Sequence, residues 1–373
     1  MNRKKWISVP VMLLASAWLV GCSTPVADDT LHQGVMRDLA NNVMYPLQGE
    51  LATEAEKVKT SVAAFCDSPS DATLKAAQDA WRAARVPWKH AEVVRFGPAD
   101  DLRLGTAIDF WPVRTDSIEM AITAAPEPIT AEHVASLGTS SKGMPALEYL
   151  MFDPIGGNAS ILVSLGGADA VAKRRCAYAR AVAETFANDA AALEAAWSPE
   201  GGGFVDQVAK AGTGSTTFVS GYHGVSRVVN LLNAALQVVN ENKLAAPAGM
   251  KTGTPDASLV ESRFSDHSIE DLRHNLLGVE EVYLGRHGEK SGNGLTVLVA
   301  AKSPAIDAAV KQALTDALAK VSEIPPPLRL AVTDHPDSVT ATHAAVRTVR
   351  IRMNTDVASV LGINILLTDN DGD

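Results

Sequence analysis

Residues 142–152 read Lys-Gly-Met-Pro-Ala-Leu-Glu-Tyr-Leu-Met-Phe and predict the start of a short amphipathic helix. Gly143 and Pro145 stand where such a helix would begin, because the fixed φ and missing N–H of proline are tolerated only in a first turn. An apolar stripe follows at helical spacing, formed by Leu147, Leu150 and Met151. Glu148 then lies at the edge of this stripe. Its carboxylate fits two roles: a favourable charge at the positive end of the helix dipole, or a ligand or acid–base group in a cleft.

The N-terminus has the pattern of an exported protein. Three basic residues at 3–5 precede an apolar run at 6–20, which is too short to span a bilayer with margin. The run ends in Leu-Val-Gly-Cys at 19–22, which resembles the lipobox of bacterial lipoproteins. We therefore expect residues 1–21 to be a signal peptide.

The resemblance to a lipobox implies that Cys22 carries a lipid and becomes the new N-terminus. Residues 22–30 would then be a short tether. Ser23 follows the cysteine in place of an aspartate, and in the enterobacterial sorting rule this pattern implies release to the outer membrane. We expect a periplasmic, lipid-anchored protein of the cell envelope.

Net charge restricts the class of partner. The full chain has a formal charge of −10, and residues 1–21 contribute three bases and no acid, so the mature chain is more negative still. Nucleic acid and anionic membrane surfaces both require a basic face. Nucleic acid is therefore not expected as a partner, and attachment to the membrane is expected through the lipid alone.

Two cysteines remain after Cys22. Cys66 and Cys176 would lie in an oxidising compartment, where they form either a disulfide or two free thiols. They are too few for a zinc–thiolate site.

The fold class is predicted as all-α, because alanine is abundant, aromatic residues are sparse and the apolar spacing is mostly helical. Helices are predicted at 31–65, 72–96, 144–151, 171–197, 216–240, 269–283, 304–321 and 338–360. A chain of 373 residues is longer than one core usually holds, so we expect an N-terminal helical half at 31–197 and a C-terminal half at 216–373. The Gly/Ser-rich residues 198–215 are either the junction or a long surface loop. Residues 295–300 fit a strand or a helix that continues to Lys302.

One predicted helix face concentrates aromatic and charged residues. Trp81, Arg85, Trp88, Glu92 and Phe96 recur at helical spacing. Such a face is either core with Arg85 and Glu92 as a packed ion pair, or the wall of a functional site.

Pro87 lies within the same helix. It removes one backbone hydrogen bond and is expected to kink the helix.

These motifs together resemble the imelysin family of bacterial cell-envelope proteins. The residues that carry the resemblance are Trp81, Arg85, Trp88, Glu92, Arg95-Phe96-Gly97-Pro98, Trp111-Pro112, Gly143, Pro145, Glu148-Tyr149-Leu150, Arg174-Arg175-Cys176-Ala177, Glu261-Ser262, Ser265-Asp266, Asn275, Gly278 and Gly285. The resemblance covers nearly all of the mature chain. It implies two bundle-like halves, possible internal repeats of each other, with a functional site in the cleft between them. It also implies a link to iron supply and a related peptidase activity.

The sequence departs from the family at its hallmark Gly-x-His-x-x-Glu motif. The family histidine is replaced by Pro145, which has no ring nitrogen to offer a metal, so only Glu148 remains of the pair. A catalytic zinc normally has three protein ligands, and the loss of one imidazole weakens this site unless another residue replaces it.

His223 is one candidate replacement. Its Gly-x-His start at residues 221–223 echoes Gly143-x-Pro145, and a pseudo-twofold relation between the halves would bring His223 to Glu148. The alternative is a histidine that is simply packed beside an apolar face.

A second candidate cluster contains His267, Glu270 and His274 at helical spacing, which suits iron, zinc or copper. The alternative is structural, because Ser268 and Asp271 also read as a capping box at a helix start.

Residues 261–266, Glu-Ser-Arg-Phe-Ser-Asp, are either a loop and helix cap or part of the site. In the family this segment faces the cleft. The predicted ligand-binding set is Arg85, Trp88, Glu92, Glu148, Glu261, Ser262 and Ser265, and the predicted metal ligands are Glu148 and His223. No nucleophile elbow surrounds either serine, so hydrogen bonding to a ligand is their expected role.

Three functions follow from these residues. The first is a binding protein for a ligand or a metal, iron or zinc, in an interdomain cleft, acting with iron-uptake components. The second is an imelysin-type metallopeptidase that uses Glu148 as its base and a relocated histidine. The third is an envelope protein that docks a partner in its cleft.

Overall fold

The computed structural model describes residues 29–366. The predicted signal peptide, Cys22 and most of the predicted tether lie outside the described residues. Within residues 29–366 the fold is all-α, and the strands are one two-residue hairpin, β1 (Arg286–His287) and β2 (Lys290–Ser291).

Ten helices form the part of the chain before the Gly-rich segment. They are α1 (Thr30–Leu39), α2 (Tyr45–Asp67), α3 (Asp71–Glu92), α4 (Pro98–Asp101), α5 (Leu104–Ile108), α6 (Thr115–Ala124), α7 (Ala131–Ser136), α8 (Gly143–Met151), α9 (Gly157–Ser164) and α10 (Ala170–Trp197).

Eight further helices follow, the first of them within the Gly-rich segment. They are α11 (Phe204–Ala209), α12 (Gly221–Gln237), α13 (Ser268–Leu284), α14 (Leu295–Lys302), α15 (Pro304–Ser322), α16 (Leu328–Asp334), α17 (Pro336–Ile351) and α18 (Ala358–Leu361). Short 3₁₀ turns occur at Thr139–Ser141 and Ala257–Leu259.

Three π-helical segments extend α-helices without a break. They are Ala40–Met44 between α1 and α2, Val238–Ala245 after α12, and Arg352–Val357 between α17 and α18. Segments of this kind re-aim side chains and are frequent at functional sites. The segment after α12 carries Lys243, which enters the site described below.

Two local predictions need correction. The helix predicted to end at Phe96 ends at Glu92, and Pro87 lies inside it. Residues 295–302 are a helix, with Leu295, Leu298 and Val299 buried, so the strand alternative is wrong.

A single contiguous hydrophobic core joins the two parts of the chain. Helix α3 packs against α13, and α1 packs against α12. Trp81 and Trp88 are among the largest fully buried side chains of this core. The first and second parts therefore share an interface in which charged residues of α3 and α13 meet.

A disulfide between Cys66 and Cys176 links the end of α2 to α10, with 5.7 Å between the two Cα atoms. Helices α2 and α10 also pack along each other. Among residues 29–366, no helix has both the length and the apolar character required to cross a bilayer.

Candidate functional site: a buried charge cluster beside a cleft

Arg85 is the centre of the site and is 1 % exposed. Its guanidinium donates two hydrogen bonds to Asp271, at 3.1 and 2.7 Å, and one to Asp109, at 2.9 Å. Glu261 lies 3.3 Å from the same group. Burial by itself lowers the pKa of Arg85, but the carboxylates of Asp109, Asp271 and Glu261 outweigh it and raise the pKa well above its usual value. Arg85 is therefore a fixed buried cation.

Lys89 is a second buried cation on α3. Its ammonium donates to Asp109 at 2.8 Å, to Glu261 at 2.7 Å and to Glu92 at 3.1 Å. Trp88 Nε1 also donates to Asp109, at 2.7 Å. A single carboxylate oxygen, Oδ2 of Asp109, therefore accepts from an indole and two cations.

Lys243 brings the second part of the chain into the cluster. Its ammonium donates to Glu92 at 3.0 Å and to the Asn275 carbonyl at 2.8 Å, while the Asn275 amide donates to Glu92 at 2.8 Å. Burial raises the pKa of Glu92, but Lys243 and Lys89 outweigh it and hold the pKa well below its usual value. Glu92 is therefore an ionised acceptor that joins α3 to α13 and to the π segment.

Two carboxylate oxygens in the cluster lack a hydrogen bond. Oδ1 of Asp109 is buried without a partner, and Oε2 of Glu261 lies 2.9 Å from Lys243 Nζ but outside hydrogen-bond geometry. Unsatisfied buried acceptors are costly. Three cationic side chains here face four carboxylates, so the cluster carries one net negative charge. It can accept a further donor or cation.

A cavity of about 480 Å³ adjoins the cluster. Oxygen atoms of Glu92, Asp109 and Glu261 lie within 4.8 Å of one another, and all three residues line this cavity. The rest of its wall includes Phe110, Trp111, Pro112, Leu231, Ala234, Val238 and Val239. The volume is typical of a ligand site with an apolar wall and a few convergent polar groups. A larger neighbouring cavity of about 930 Å³ contains none of the cluster residues.

Glu148 lies in a separate buried site beside the charge cluster. Its Oε1 accepts hydrogen bonds from Phe264 N at 3.0 Å, Ser265 N at 2.9 Å and Ser265 Oγ at 2.8 Å. The side chain is 3 % exposed, and burial raises the pKa of Glu148 to about 7 despite these donors. The residue therefore changes charge near neutral pH.

Gly143 allows the helix that carries Glu148 to approach α5. Its φ is +74°, and a Cβ there would lie 2.4 Å from the Ala107 carbonyl oxygen. A side chain at this position is excluded both by its conformation and by space.

The segment at 261–267 is held in a strained conformation. Ser262 and Asp266 have φ values of 51° and 56°, left-handed conformations that side-chain-bearing residues adopt only where the surroundings impose them. The Ser262 hydroxyl donates to Asp271, and Ser268 Oγ donates to the Glu261 carbonyl. The predicted capping box at 268–271 is therefore not formed: α13 starts after His267, and Asp271 pairs with Arg85 instead.

The three candidate histidines occupy different places. His223 is exposed at the start of α12, with its ring 5.6 Å from that of Phe218. His267 packs edge-on against Trp81 and has a buried, unpartnered Nε2. His274, one helical turn after Asp271, bonds to His90.

The structure brings most of the predicted ligand-binding residues together. Arg85, Trp88, Glu92 and Glu261 form the cluster, Ser262 reaches it through Asp271, and Glu148 meets Ser265 beside it. One of the two alternatives for this helix face paired Arg85 with Glu92; the observed partners of Arg85 are Asp109 and Asp271, and those of Glu92 are Lys89 and Lys243.

Sequence reasoning missed five members of the cluster: Lys89, Asp109, Lys243, Asp271 and Asn275. Asp109 lies two residues before Trp111-Pro112 of the family pattern, and Asn275 is part of that pattern, so the family resemblance pointed to the neighbourhood of both. Lys243 lies in an ordinary amphipathic stretch that carries no such signal.

These features define a class: an all-helical protein with a buried cluster of charges beside a cleft. The family model described as imelysin (peptidase M75) matches residues 45–351, and this chain belongs to that family.

Individual relatives agree with this assignment. Iron-regulated protein A of Synechococcus elongatus is 25% identical over 299 residues, which cover 79% of this chain and 76% of the relative. The crystal structure of a proposed iron-regulated protein A precursor from Parabacteroides distasonis has a TM-score of 0.77 at 21% identity and covers 91% of this chain and 97% of its own. An imelysin-like protein from Psychrobacter arcticum has a TM-score of 0.71 at 17% identity, covering 91% and 98%. These two structures share the fold.

Replacing Glu148 by glutamine should change how stability depends on pH. The folded pKa of about 7 lies above the usual 4.5, so the folded protein holds a proton that the unfolded chain releases. The stabilising contribution of protonation is therefore complete below pH 4.5 and is lost as pH rises through 7. It amounts to about 3 kcal/mol. Between pH 4.5 and 7.5, the free energy of unfolding of the wild type, measured with urea, should fall by about 3 kcal/mol relative to that of Glu148→Gln.

Glu56→Gln is the matched control for this measurement. Glu56 is an exposed residue of α2 that pairs with Lys59, so its side chain is in solvent before and after unfolding. Parallel pH curves for Glu148→Gln and wild type would contradict the raised pKa.

Proposed function

We propose that this protein is a lipid-anchored protein of the cell envelope that binds an iron species in the cleft beside the Arg85 cluster. The observation that carries the proposal is a group of three carboxylates at the base of that cleft. Glu92, Asp109 and Glu261 converge there within 4.8 Å, and two of their buried oxygens lack a hydrogen bond.

The donor set favours a hard metal. Carboxylate oxygens suit iron better than they suit soft metals, which prefer thiolates. The name of the Synechococcus relative, iron-regulated protein A, points to iron as the first metal to test.

The shape of the cleft favours iron held by an organic chelator over a bare ion. A cavity of about 480 Å³ is far larger than a single ion, and its wall contains Phe110, Trp111 and Val238. An apolar chelator would pack on this wall while its charged centre meets the carboxylates. Lys243, which pairs with Glu92 at the cavity edge, would meet an anionic group of the chelator.

Binding measurements test this proposal. Calorimetric titration with ferrous iron under anaerobic conditions, ferric citrate and a ferric catecholate should show saturable binding of at least one of them. Glu261→Gln and Glu92→Gln should each weaken it by about 10- to 100-fold, because each removes a charged ligand or orienting group.

Glu323→Gln, at an exposed ion pair with Lys320, should leave that affinity unchanged. The proposal fails if none of the three iron species binds the wild type, or if the control loses as much affinity as the cluster variants.

The lipid anchor rests on the Leu-Val-Gly-Cys pattern at 19–22 and is part of the same proposal. Incorporation of a labelled fatty acid that disappears in Cys22→Ser would support it, and equal incorporation would reject it.

A metallopeptidase is the second candidate, and the pKa of Glu148 favours it. A carboxyl group with a pKa of about 7 is suited to act as a general base near neutral pH. The family model that matches this chain is also named for a peptidase. Protein cleavage that a chelator abolishes and that Glu148→Gln also abolishes would favour this function over binding alone.

A further inference from the structure

The stripe of α13 that meets α3 through Asp271 and Asn275 continues toward the C-terminal end of the helix. His274, Gly278 and Glu281 recur at i, i+4 and i+7 and therefore share one side of the helix. Gly278 lies against the backbone of His90 on α3: a Cβ there would be 2.8 Å from both the Cα and the carbonyl oxygen of His90. The missing side chain lets α3 and α13 approach closely and places His90 between His274 and Glu281.

Three imidazoles and two carboxylates meet at this contact. His90 Nδ1 and His287 Nδ1 lie 2.9 and 3.0 Å from the same oxygen, Oε2 of Glu281. The side chains of His90, His287 and Glu281 are 8, 11 and 16 % exposed. The cluster draws on α3, α13 and β1, and Glu50 of α2 borders it.

We propose that His90, Glu281 and His287 form a binding site for a divalent first-row transition metal such as Zn²⁺ or Fe²⁺. Two imidazoles and one carboxylate are a ligand set used by zinc and by non-haem ferrous sites, both of which keep open positions for further ligands. The site stands apart from the iron-binding cleft and does not depend on it.

The distances suit an ion after a small movement. Metal–ligand bonds of about 2.0 to 2.1 Å in a tetrahedral site place neighbouring ligand atoms about 3.3 Å apart. One ligand atom from each of the three residues lies within 4.8 Å of the other two. The Nδ1–Oε2 distances of 2.9 and 3.0 Å would lengthen by a few tenths of an ångström. The ligand nitrogens of the two histidines, at most 4.8 Å apart, would approach each other to about 3.3 Å.

The remaining ring nitrogens are already held in place. His90 Nε2 lies 2.9 Å from His274 Nδ1, and His287 Nε2 lies 2.9 Å from Glu50 Oε1. Metal-binding histidines usually donate their other N–H to such a partner, which fixes the ring orientation.

The protons balance when a metal binds. A carboxylate oxygen only accepts, so without a metal Nδ1 of His90 and Nδ1 of His287 each carry a proton that they donate to Glu281 Oε2. A metal would take both Nδ1 lone pairs, and both of these protons would leave to solvent. Each ring then needs one proton on Nε2, which His90 donates to His274 Nδ1 and His287 donates to Glu50. A ring without a proton on Nε2 takes one from solvent, and His274 carries its own proton on Nε2.

Cobalt(II) titration of the full mature chain tests the proposal, because four-coordinate Co²⁺ reports its ligands through visible absorption bands. The wild type should bind one equivalent with these bands, and Zn²⁺ should displace it. His287→Gln and Glu281→Gln should weaken binding by about 100-fold or more. Glu50→Gln and His274→Gln, which remove orienting partners, should weaken it by about 10- to 100-fold.

His335→Gln, at an exposed histidine before α17, and Glu92→Gln, in the cleft, should retain the bands and the affinity. His287→Gln lies on a surface hairpin, so its folding can be verified by circular dichroism before titration. The proposal is overturned if the wild type shows no stoichiometric cobalt bands, if His287→Gln retains them, or if Glu92→Gln abolishes them.

Discussion

Replacing Arg85 by methionine is expected to destabilise the protein by about 3 to 5 kcal/mol, the typical cost of removing one partner of a buried ion pair. Methionine has a similar volume, so most of this loss is electrostatic. Asp271 is fully buried and would lose its bidentate hydrogen-bond donor, and Asp109 would lose one of its two cationic partners. Lys89 cannot replace the lost charge, because it is already shared among three carboxylates.

The physical origin of this loss can be isolated with a double-mutant cycle. Asp271→Asn alone should also destabilise, because it leaves the guanidinium without one of its anions. The double variant should lose less than the sum of the single losses, since neither charge is then left alone. The midpoints of urea unfolding give the three losses in the free energy of unfolding, provided that the dependence on urea concentration has the same slope in each variant.

Lys75→Met is the matched control on the same helix. Lys75 is exposed and pairs with Asp79 one turn away, a contact that contributes about 0.3 to 0.5 kcal/mol. A loss for Arg85→Met no larger than that of Lys75→Met would show that the buried network does not stabilise the fold.

Removing the disulfide with Cys66→Ser and Cys176→Ser together should cost about 4 to 5 kcal/mol in the loop-entropy model. The cross-link joins positions 110 residues apart, so it removes a large part of the freedom of the unfolded chain. The folded state should change little, because α2 and α10 also pack extensively against each other.

Chemical unfolding of the oxidised wild type, the reduced wild type and the double serine variant measures this contribution. The reduced wild type and the double serine variant should have the same free energy of unfolding. The denatured oxidised protein should contain no free thiol from Cys66 or Cys176. A loss below about 1 kcal/mol would mean that the cross-link hardly restricts the unfolded chain, and a free thiol count of two would mean that it does not form.

The helical architecture could be predicted closely from the sequence. The helices predicted at 171–197 and 304–321 are observed as Ala170–Trp197 and Pro304–Ser322. Apolar spacing and helix-start residues are local properties, so they can be read without knowledge of the fold. The errors arose where tertiary contacts override local signals: the end of α3 lies at Glu92, where the chain turns toward the cleft.

The candidate site could be predicted in part. Trp81, Arg85, Trp88 and Glu92 were found because one helix face displays them at regular spacing. Lys89 was missed although it lies four residues after Arg85, at the edge of the same face, from which its long side chain reaches Asp109 and Glu261. Asp271 was interpreted as a helix-capping residue because a sequence contains no information on distant partners.

The sequence by itself determined the helices, the family and the aromatic face of α3, because each depends on neighbours along the chain or on motifs that can be compared directly. Only the tertiary structure decided which charges pair. Arg85 and Asp271 are 186 residues apart, and His90 and His274 are 184 apart. Electrostatic pairing falls off over a few ångströms in space, not along the chain, so these partners are fixed by the packing of α3 against α13.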